Sequence, residues 1–223
     1  DGHNPVRGVE RFREEAKERF LDANELARLG EALRLAETNG IAWKPQEEAA
    51  PRAKHLPKLA NRVETFGPYP SAAIRLLLLT GMRLREVLHL EWTHYDRQRG
   101  MLHLPTSKTG KKSVVLGSAA IAVLDSIPRI AKFVIASSSA GLKDETPRRD
   151  INRAWAAIRR QAGLEGVRLH DLRHSFAAIG AGSGASLPQI GKLLGHSQPA
   201  TTARYAHVAA TAERRVADQI GAE

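Results

Sequence analysis

The chain has 223 residues and a formal net charge of +10 at neutral pH, with no cysteine. This length suits one domain, or one domain with an appendage, and the missing thiols exclude disulfides, thiolate metal sites and a cysteine nucleophile. The charge favours a polyanionic partner, although a basic protein with no nucleic-acid role can have the same composition. Apolar runs such as Leu76 to Leu79 are too short to cross a membrane.

The N-terminal part combines a polar connector, one clear helix and an irregular stretch. Residues 1–20 are polar and charged and include no initiator methionine, which suggests a linker from an upstream domain. Asp22 and Glu25 form a capping-box pair that predicts the start of a helix. Residues 41–67 contain scattered prolines and are predicted to be an irregular insertion, with a short helix near residues 56–63.

From residue 71 onward the pattern predicts helices interrupted by one small sheet. The largely apolar segment Ile74 to Leu79, which contains one arginine, predicts a buried helix, and Thr80 and Gly81 separate it from a second helix. Turn-rich segments separate three short strands, predicted at residues 92–96, 101–104 and 113–116. Further helices are predicted at residues 121–127, 147–163, 170–179, 187–194, 199–206 and 209–219. The expected fold class is therefore α+β: mainly α, with a three-stranded antiparallel sheet.

Two cationic motifs are suited to hold a phosphate. Arg83 follows Thr80-Gly81-Met82 at a helix start, where backbone N–H groups favour an anion, and its planar guanidinium matches two phosphate oxygens. Glu86, three residues later, can brace Arg83, although a surface ion pair would use the same two residues. His170 and Arg173 are three residues apart on a helix and therefore share a face, and His170 can move a proton near neutral pH.

Two more histidines and a tyrosine follow the second motif. His174 lies four residues after His170, which invites a metal hypothesis, but no glutamate directly follows His170 and no cysteine is present. We therefore expect His174 to pack or to form a hydrogen bond. His196 follows a Leu-Gly pair that ends a helix, and Tyr205 lies nine positions later. A tyrosine has a pKa near 10, so it needs a cationic setting to act as a nucleophile.

A lysine-rich turn lies between the second and third predicted strands. Lys108 is the first of three lysines in the run from Thr106 to Lys112, which is suited to reach into a DNA groove. We assign Lys111 and Lys112, together with Arg204 beside the tyrosine, to DNA contact.

Taken in order, these motifs resemble the catalytic domain of the tyrosine recombinases, the phage-integrase family, over about residues 70–210. The resemblance implies a catalytic domain at residues 21–223 that cleaves and rejoins DNA through a 3′-phosphotyrosine, with no metal, ATP or other cofactor. It implies that Tyr205 attacks the phosphate and that Lys108 protonates the leaving oxygen. It further implies that His170 is the acid/base partner of Tyr205. The residues that would stabilise charge on the phosphate are Arg83, Arg173 and His196, with Glu86 in support.

The resemblance also implies partners and a setting. These are double-stranded DNA carrying recombination sites and a homo-tetramer on that DNA, with this chain monomeric in solution and no membrane partner. The setting would be the bacterial cytoplasm, at the nucleoid. Residues 207–223 would form a tail exchanged between subunits. A type IB topoisomerase-like relaxation of supercoils and a non-catalytic DNA-binding module are the alternatives.

Overall fold

A computed structural model describes residues 19–43, 58, 61–105, 107, 110–211 and 214. The helices in this part are α1 (Ala23–Thr38), α2 (Pro68–Thr80), α3 (Leu84–Leu88), α4 (Ser118–Ser126), α5 (Asn152–Gln161), α6 (Leu169–Gly182), α7 (Leu187–Leu194) and α8 (Ala200–Ala203). The strands are β1 (Ile41–Ala42), β2 (Val63–Glu64), β3 (Tyr95–Asp96), β4 (Met101–Leu104) and β5 (Lys112–Val115). The predicted α+β class is confirmed. Among these described helices, none is long and apolar enough to span a membrane.

The first helix begins at the predicted cap. The Asp22 carboxylate accepts a 2.8 Å hydrogen bond from the Glu25 amide, and the Glu25 carboxylate accepts one of 3.1 Å from the Asp22 amide. Two donors at the helix end, which have no intrahelical partner, are thereby satisfied. Leu29 and Leu33 are buried on the inner face of the helix, as the spacing predicted.

The predicted irregular insertion has ordered ends. Strands β1 and β2 pair antiparallel, with Ile41 opposite Glu64 and Ala42 opposite Val63. The prediction of an irregular stretch was therefore wrong at both ends of residues 41–67. Half of the short helix predicted near residues 56–63 falls outside the described residues, and its last residue, Val63, belongs to β2 instead. Most of the expected connector at 1–20 and most of the expected tail also fall outside the described residues, although residues 206–211 are helical.

The three-stranded sheet is present, with slightly different limits. Its order is β3-β4-β5 and both pairings are antiparallel. Trp92 to His94 form a 3₁₀ turn rather than the start of β3, and β5 begins one residue earlier than predicted. Alternate residues of the sheet face inward, among them Leu102 and Val114. The helix predicted at residues 147–163 is present as α5, but its predicted start at Pro147 was wrong, because α5 begins at Asn152, whose amide donates to the Asp150 carboxylate at 3.0 Å.

The buried apolar residues form two clusters of unequal size. The larger, here called the main core, surrounds α2 and receives side chains from α1, the sheet, α4, α5 and the first half of α6. The smaller, here called the C-terminal cluster, lies between α6, α7 and α8 and has Ala177, Ala181, Ile190, Leu194 and Tyr205 as its buried members. Helix α6 contributes to both, so its length connects the two.

Candidate active site

Arg83 stands at the start of α3 and is held by Glu86. The Arg83 amide donates to the Glu86 carboxylate at 3.0 Å, and the guanidinium donates to its other oxygen at 2.8 Å. Lys112 reaches the same carboxylate from β5 at 3.2 Å. Burial tends to raise the pKa of Glu86, but the hydrogen bonds from Arg83 and the charge of Lys112 outweigh it and lower that pKa. Glu86 thus remains ionised and orients Arg83, as sequence reasoning expected.

Arg173 is buried at the junction of three elements. It is 5% exposed, and its guanidinium donates to the Gly81 carbonyl after α2 and, at 2.9 Å, to the Leu194 carbonyl at the end of α7. Burial, and then the nearby Arg83, lower the pKa of Arg173 to about 10. It therefore stays protonated at neutral pH. An ion pair between Arg168 and Asp171 at the N-terminus of α6 positions the helix that carries it.

Lys112 was assigned to DNA contact, and the structure places it elsewhere. Its side chain is 6% exposed, and its ammonium donates to the Leu194 carbonyl at 3.1 Å as well as to Glu86. Burial lowers the pKa of Lys112, while Glu86 opposes that shift. The missed signal was strand alternation, because Lys112 and the core residue Val114 lie two apart on one face of β5. Lys112 therefore connects the sheet to α7 instead of pointing at solvent.

His196 lies beside these cations in the turn that follows α7. Gly195 ends that helix in the left-handed region at φ +70°, which glycine adopts without strain. The imidazole Nδ1 of His196 forms a 2.8 Å hydrogen bond with the Thr202 hydroxyl. Burial, then the charges of Arg173 and Arg83, lower the pKa of His196 to about 4. It is therefore a neutral hydrogen-bonding group at neutral pH, next to strong cations.

Tyr205 follows α8 and is buried within the C-terminal cluster, with 4% of its surface exposed. Its hydroxyl lies 2.6 Å from Nδ1 of His174, which fulfils the expectation of a hydrogen bond for that histidine. The negative charge of an ionised Tyr205 would raise the pKa of Arg173, so the phenol lies within electrostatic reach of the guanidinium. Sequence reasoning paired Tyr205 with His170 instead.

His170 faces a surface groove. The groove is lined by Arg83, Glu86, Ser107 and other residues of α3 and the sheet. Desolvation, followed by the charge of Arg173, lowers the pKa of His170. Its ring meets the ring of His174 edge-on, with centroids 4.9 Å apart. Within the described residues, no group of three or more His, Asp or Glu side chains is placed to hold a metal ion.

The remaining candidates are distributed around this centre. Lys108 falls outside the described residues. Lys111 is exposed at the beginning of the strand that carries Lys112, and Arg204 is half-buried as the residue that caps α8. In total, the structure brings Arg83, His170, Arg173 and His196 together, with Glu86 bonded to both Arg83 and Lys112, and it places Tyr205 within electrostatic reach of Arg173.

Comparison with known proteins identifies the class to which this fold and site belong. The sequence profile described as the phage integrase family matches residues 52–212. Since this match covers most of the chain, the protein belongs to the phage integrase family.

Individual relatives agree with this assignment. The integrase of Salmonella phage P22 is 29% identical over 154 residues, which are 62% of this chain and 39% of that protein. The tyrosine recombinase XerC of Corynebacterium efficiens is 31% identical over 142 residues, covering 62% of this chain and 46% of the relative. The chain thus spans less than half the length of these two relatives.

Solved structures share the fold. XerA recombinase superposes with a TM-score of 0.62 at 21% identity, over 92% of this chain and 66% of that one. The catalytic domain of bacteriophage HP1 integrase gives a TM-score of 0.55 at 21% identity, over 86% of this chain and 89% of that one. The expected likeness to tyrosine-recombinase catalytic domains is therefore confirmed at the level of the fold.

Proposed function

We propose that this chain is the catalytic domain of a site-specific DNA recombinase that cleaves and rejoins DNA through a covalent bond to Tyr205. The observation that carries the proposal is the imbalance of charge beside the tyrosine. Arg83, Lys112 and Arg173 contribute three cations, and the only carboxylate bonded to them among the described residues is Glu86. A phosphodiester would offset the surplus of positive charge, and the net charge of +10 suits DNA as its source.

The reaction assigns one role to each group. The Tyr205 oxygen attacks the scissile phosphorus, a Tyr–O–P bond forms and the bond from phosphorus to the 5′-oxygen breaks. Arg83, Arg173 and neutral His196 donate hydrogen bonds to the phosphate oxygens as charge accumulates on them. Lys108 supplies a proton to the leaving 5′-oxygen. Because the energy of the broken ester is retained in the phosphotyrosine, a second 5′-hydroxyl can reverse the reaction without ATP.

The partner is duplex DNA carrying a recombination site, on which four copies of the protein assemble. Solved structures with this fold include a lambda integrase dimer bound to a core site, at 18% identity and a TM-score of 0.59, and XerH bound to its difH substrate. These complexes support DNA as the partner. Exposed Lys111 and partly exposed Arg204 are the side chains we assign to the DNA backbone.

Covalent trapping tests the proposal directly. The protein is mixed with a labelled pool of nicked duplexes drawn from random sequence and from the DNA that flanks its gene, and adducts are resolved on denaturing gels. The chain has three tyrosines, so Tyr69→Phe and Tyr95→Phe are matched controls for Tyr205→Phe. We expect a shifted band for the wild type and for both controls, and none for Tyr205→Phe, which should still bind DNA.

Two outcomes would contradict this function. An adduct that persists in Tyr205→Phe would place the nucleophile on another residue. The absence of any wild-type adduct from a pool that the protein binds would favour the non-catalytic module. Relaxation of supercoiled plasmids with no preference for sequence would instead favour the topoisomerase-like alternative.

A further inference from the structure

The hydroxyl of Tyr205 has a partner that sequence reasoning did not assign to it. His174 Nδ1 lies 2.6 Å from the phenolic oxygen, and their rings are tilted by 47° with centroids 6.1 Å apart. Both side chains are restrained: Tyr205 is buried, and His174 is half-buried in the middle of α6, with Arg173 directly before it. Because both side chains are restrained, the short distance between His174 Nδ1 and the Tyr205 oxygen defines a specific hydrogen bond.

The electrostatic setting determines the charge state of His174, and the tautomer of the neutral ring sets the direction of that hydrogen bond. Burial, then the neighbouring His170 and Arg204, lower the pKa of His174 to about 4, while Asp171 acts in the opposite direction and Arg168 in the same one. Arg19 and His207 line the same small cavity. His174 is thus neutral at neutral pH. A neutral imidazole facing a phenol at this distance accepts the O–H proton at Nδ1 when its own proton is on Nε2.

His170 lines a different cavity from His174. It lines the groove that contains Arg83 and Ser107, whereas the contact to the phenol is made by His174. The two imidazoles meet edge-on and therefore remain distinct groups. His170 is thus placed toward incoming DNA, and His174 toward the attacking oxygen.

From this geometry we propose that His174 is the general base of the reaction and accepts the Tyr205 proton at Nδ1 as the phenolic oxygen attacks phosphorus. The inference rests on the proposed function and deepens it. In the step, the O–H bond of Tyr205 breaks, the Tyr–O–P bond forms and the 5′-oxygen leaves with a proton from Lys108. His174 becomes an imidazolium, and it returns the proton to Tyr205 when the phosphotyrosine is resolved. A bound phosphodiester assists, because its negative charge makes protonation of a nearby histidine easier.

The experiment compares His174→Asn with His174→Ala. The asparagine oxygen lies near the position of Nδ1 and still accepts a hydrogen bond, but it cannot take up a proton near neutral pH. His207→Asn is the matched control, because His207 lines the same cavity and its Nδ1 is bonded to the Arg204 carbonyl instead. The readout is the single-turnover rate of covalent adduct formation at saturating protein, followed from about pH 6 to 9. Circular dichroism and DNA affinity establish that each variant is folded.

We expect His174→Asn to cleave about 100-fold more slowly at neutral pH, the lower end of what general acid–base groups contribute, while His207→Asn matches the wild type. The rate of the asparagine variant should then rise about tenfold per pH unit, since hydroxide must remove the phenolic proton. A duplex with sulfur in place of the 5′-bridging oxygen needs no acid for its leaving group. It should restore cleavage by Lys108→Ala but not by His174→Asn.

Several results would overturn the inference. A His174→Asn rate within tenfold of the wild type would show that a hydrogen bond suffices without proton transfer. A loss that is flat with pH, or that the sulfur substrate restores, would remove His174 from the role of base. If His174→Asn does not fold, the same pH and leaving-group criteria apply to His174→Ala.

A measurement without DNA separates this inference from the proposed function. In protein labelled with ¹⁵N-histidine, NMR should show His174 with its proton on Nε2 near neutral pH and a clear change at Nδ1 in Tyr205→Phe. A proton on Nδ1 would make the phenol an acceptor and would refute the role of His174 as general base, whether or not the protein cleaves DNA. A correct tautomer combined with no wild-type adduct would instead refute the proposed function.

Discussion

The arginines of the proposed active site and its tyrosine lie on parts of the molecule that bury very different amounts of apolar surface. Arg83 lies between Met82 and Val87, which both belong to the main core. Tyr205 is one of five buried members of the C-terminal cluster as the described residues define it. Local opening is easiest where few apolar contacts are buried. We therefore expect a preformed phosphate pocket and a nucleophile that is easier to displace.

Removing Arg173 should have the largest effect, because this residue serves both regions. Arg173→Ala should slow adduct formation by about 100–1000-fold, the usual cost of losing one charge-stabilising donor. It also removes one donor from the carbonyl of Gly81, beside the main core, and one from that of Leu194, in the C-terminal cluster, which keeps the hydrogen bond from Lys112. Single-turnover cleavage at saturating protein measures the loss, with Arg160→Ala on the exposed face of α5 as control. A loss below tenfold would remove Arg173 from the phosphate pocket.

Replacing Lys112 tests whether its buried hydrogen bonds stabilise the contact between the main core and the C-terminal cluster. Lys112→Met should lower the free energy of unfolding by about 3 kcal/mol, the lower end for breaking one partner of a buried ion pair, because Glu86 and the Leu194 carbonyl both lose a donor. Urea denaturation measures this change. The dependence of DNA affinity on salt should stay the same, because the buried ammonium is paired with Glu86 and bonded to the Leu194 carbonyl and so contacts no phosphate directly.

Lys111 is the matched control for Lys112. Lys111→Ala should leave stability unchanged but reduce the slope of log affinity against log salt by about 0.9, the value for one phosphate contact. A salt slope that changes in Lys112→Met, with stability unchanged, would restore the original assignment of Lys112 to DNA.

The turn at Gly195 offers a smaller test of the same junction. Gly195→Ala should cost about 1–2 kcal/mol for the left-handed backbone, plus the cost of a Cβ that would lie 3.0 Å from Cε of Lys112. Gly166 has a similar φ, +72°, with no atom within 4 Å of an added Cβ. Thermal unfolding of Gly195→Ala and Gly166→Ala therefore separates crowding from backbone strain. Equal losses of stability in the two variants would show that the Lys112 side chain moves away from the added Cβ at little cost.

Acid should affect the C-terminal region before the main core. Folding lowers the pKa values of His174 and His196 from 6.5 to about 4, so the unfolded chain binds more protons between those pH values. The stabilisation is thus fully present above pH 6.5 and is lost as the pH falls toward 4. Hydrogen exchange should show amides of α7 and α8 losing protection ahead of those of α2. Uniform loss along the chain would mean that the two regions open as one unit.

Local signals predicted much of the fold. The Asp22 cap, the helix that ends at Gly195 and the three strands of the sheet depend on residues close together in sequence, whose dihedral preferences and spacing act locally. The helix start expected at Pro147 was wrong because proline permits a helix start without requiring one. The pairing of β1 with β2 was missed because it joins residues more than twenty positions apart.

By itself, the sequence predicted which residue types would form this site and in what order, from Arg83 to Tyr205, and it predicted that Glu86 would brace Arg83 three residues away. Only the tertiary structure decided which of those residues meet. It turned Lys112 inward to Glu86 and the Leu194 carbonyl, and it placed His174 rather than His170 against the Tyr205 hydroxyl. The physical reason is that these contacts arise between elements brought together by burial of the two apolar clusters, and no local dihedral preference encodes the relation between α6 and the segment after α8.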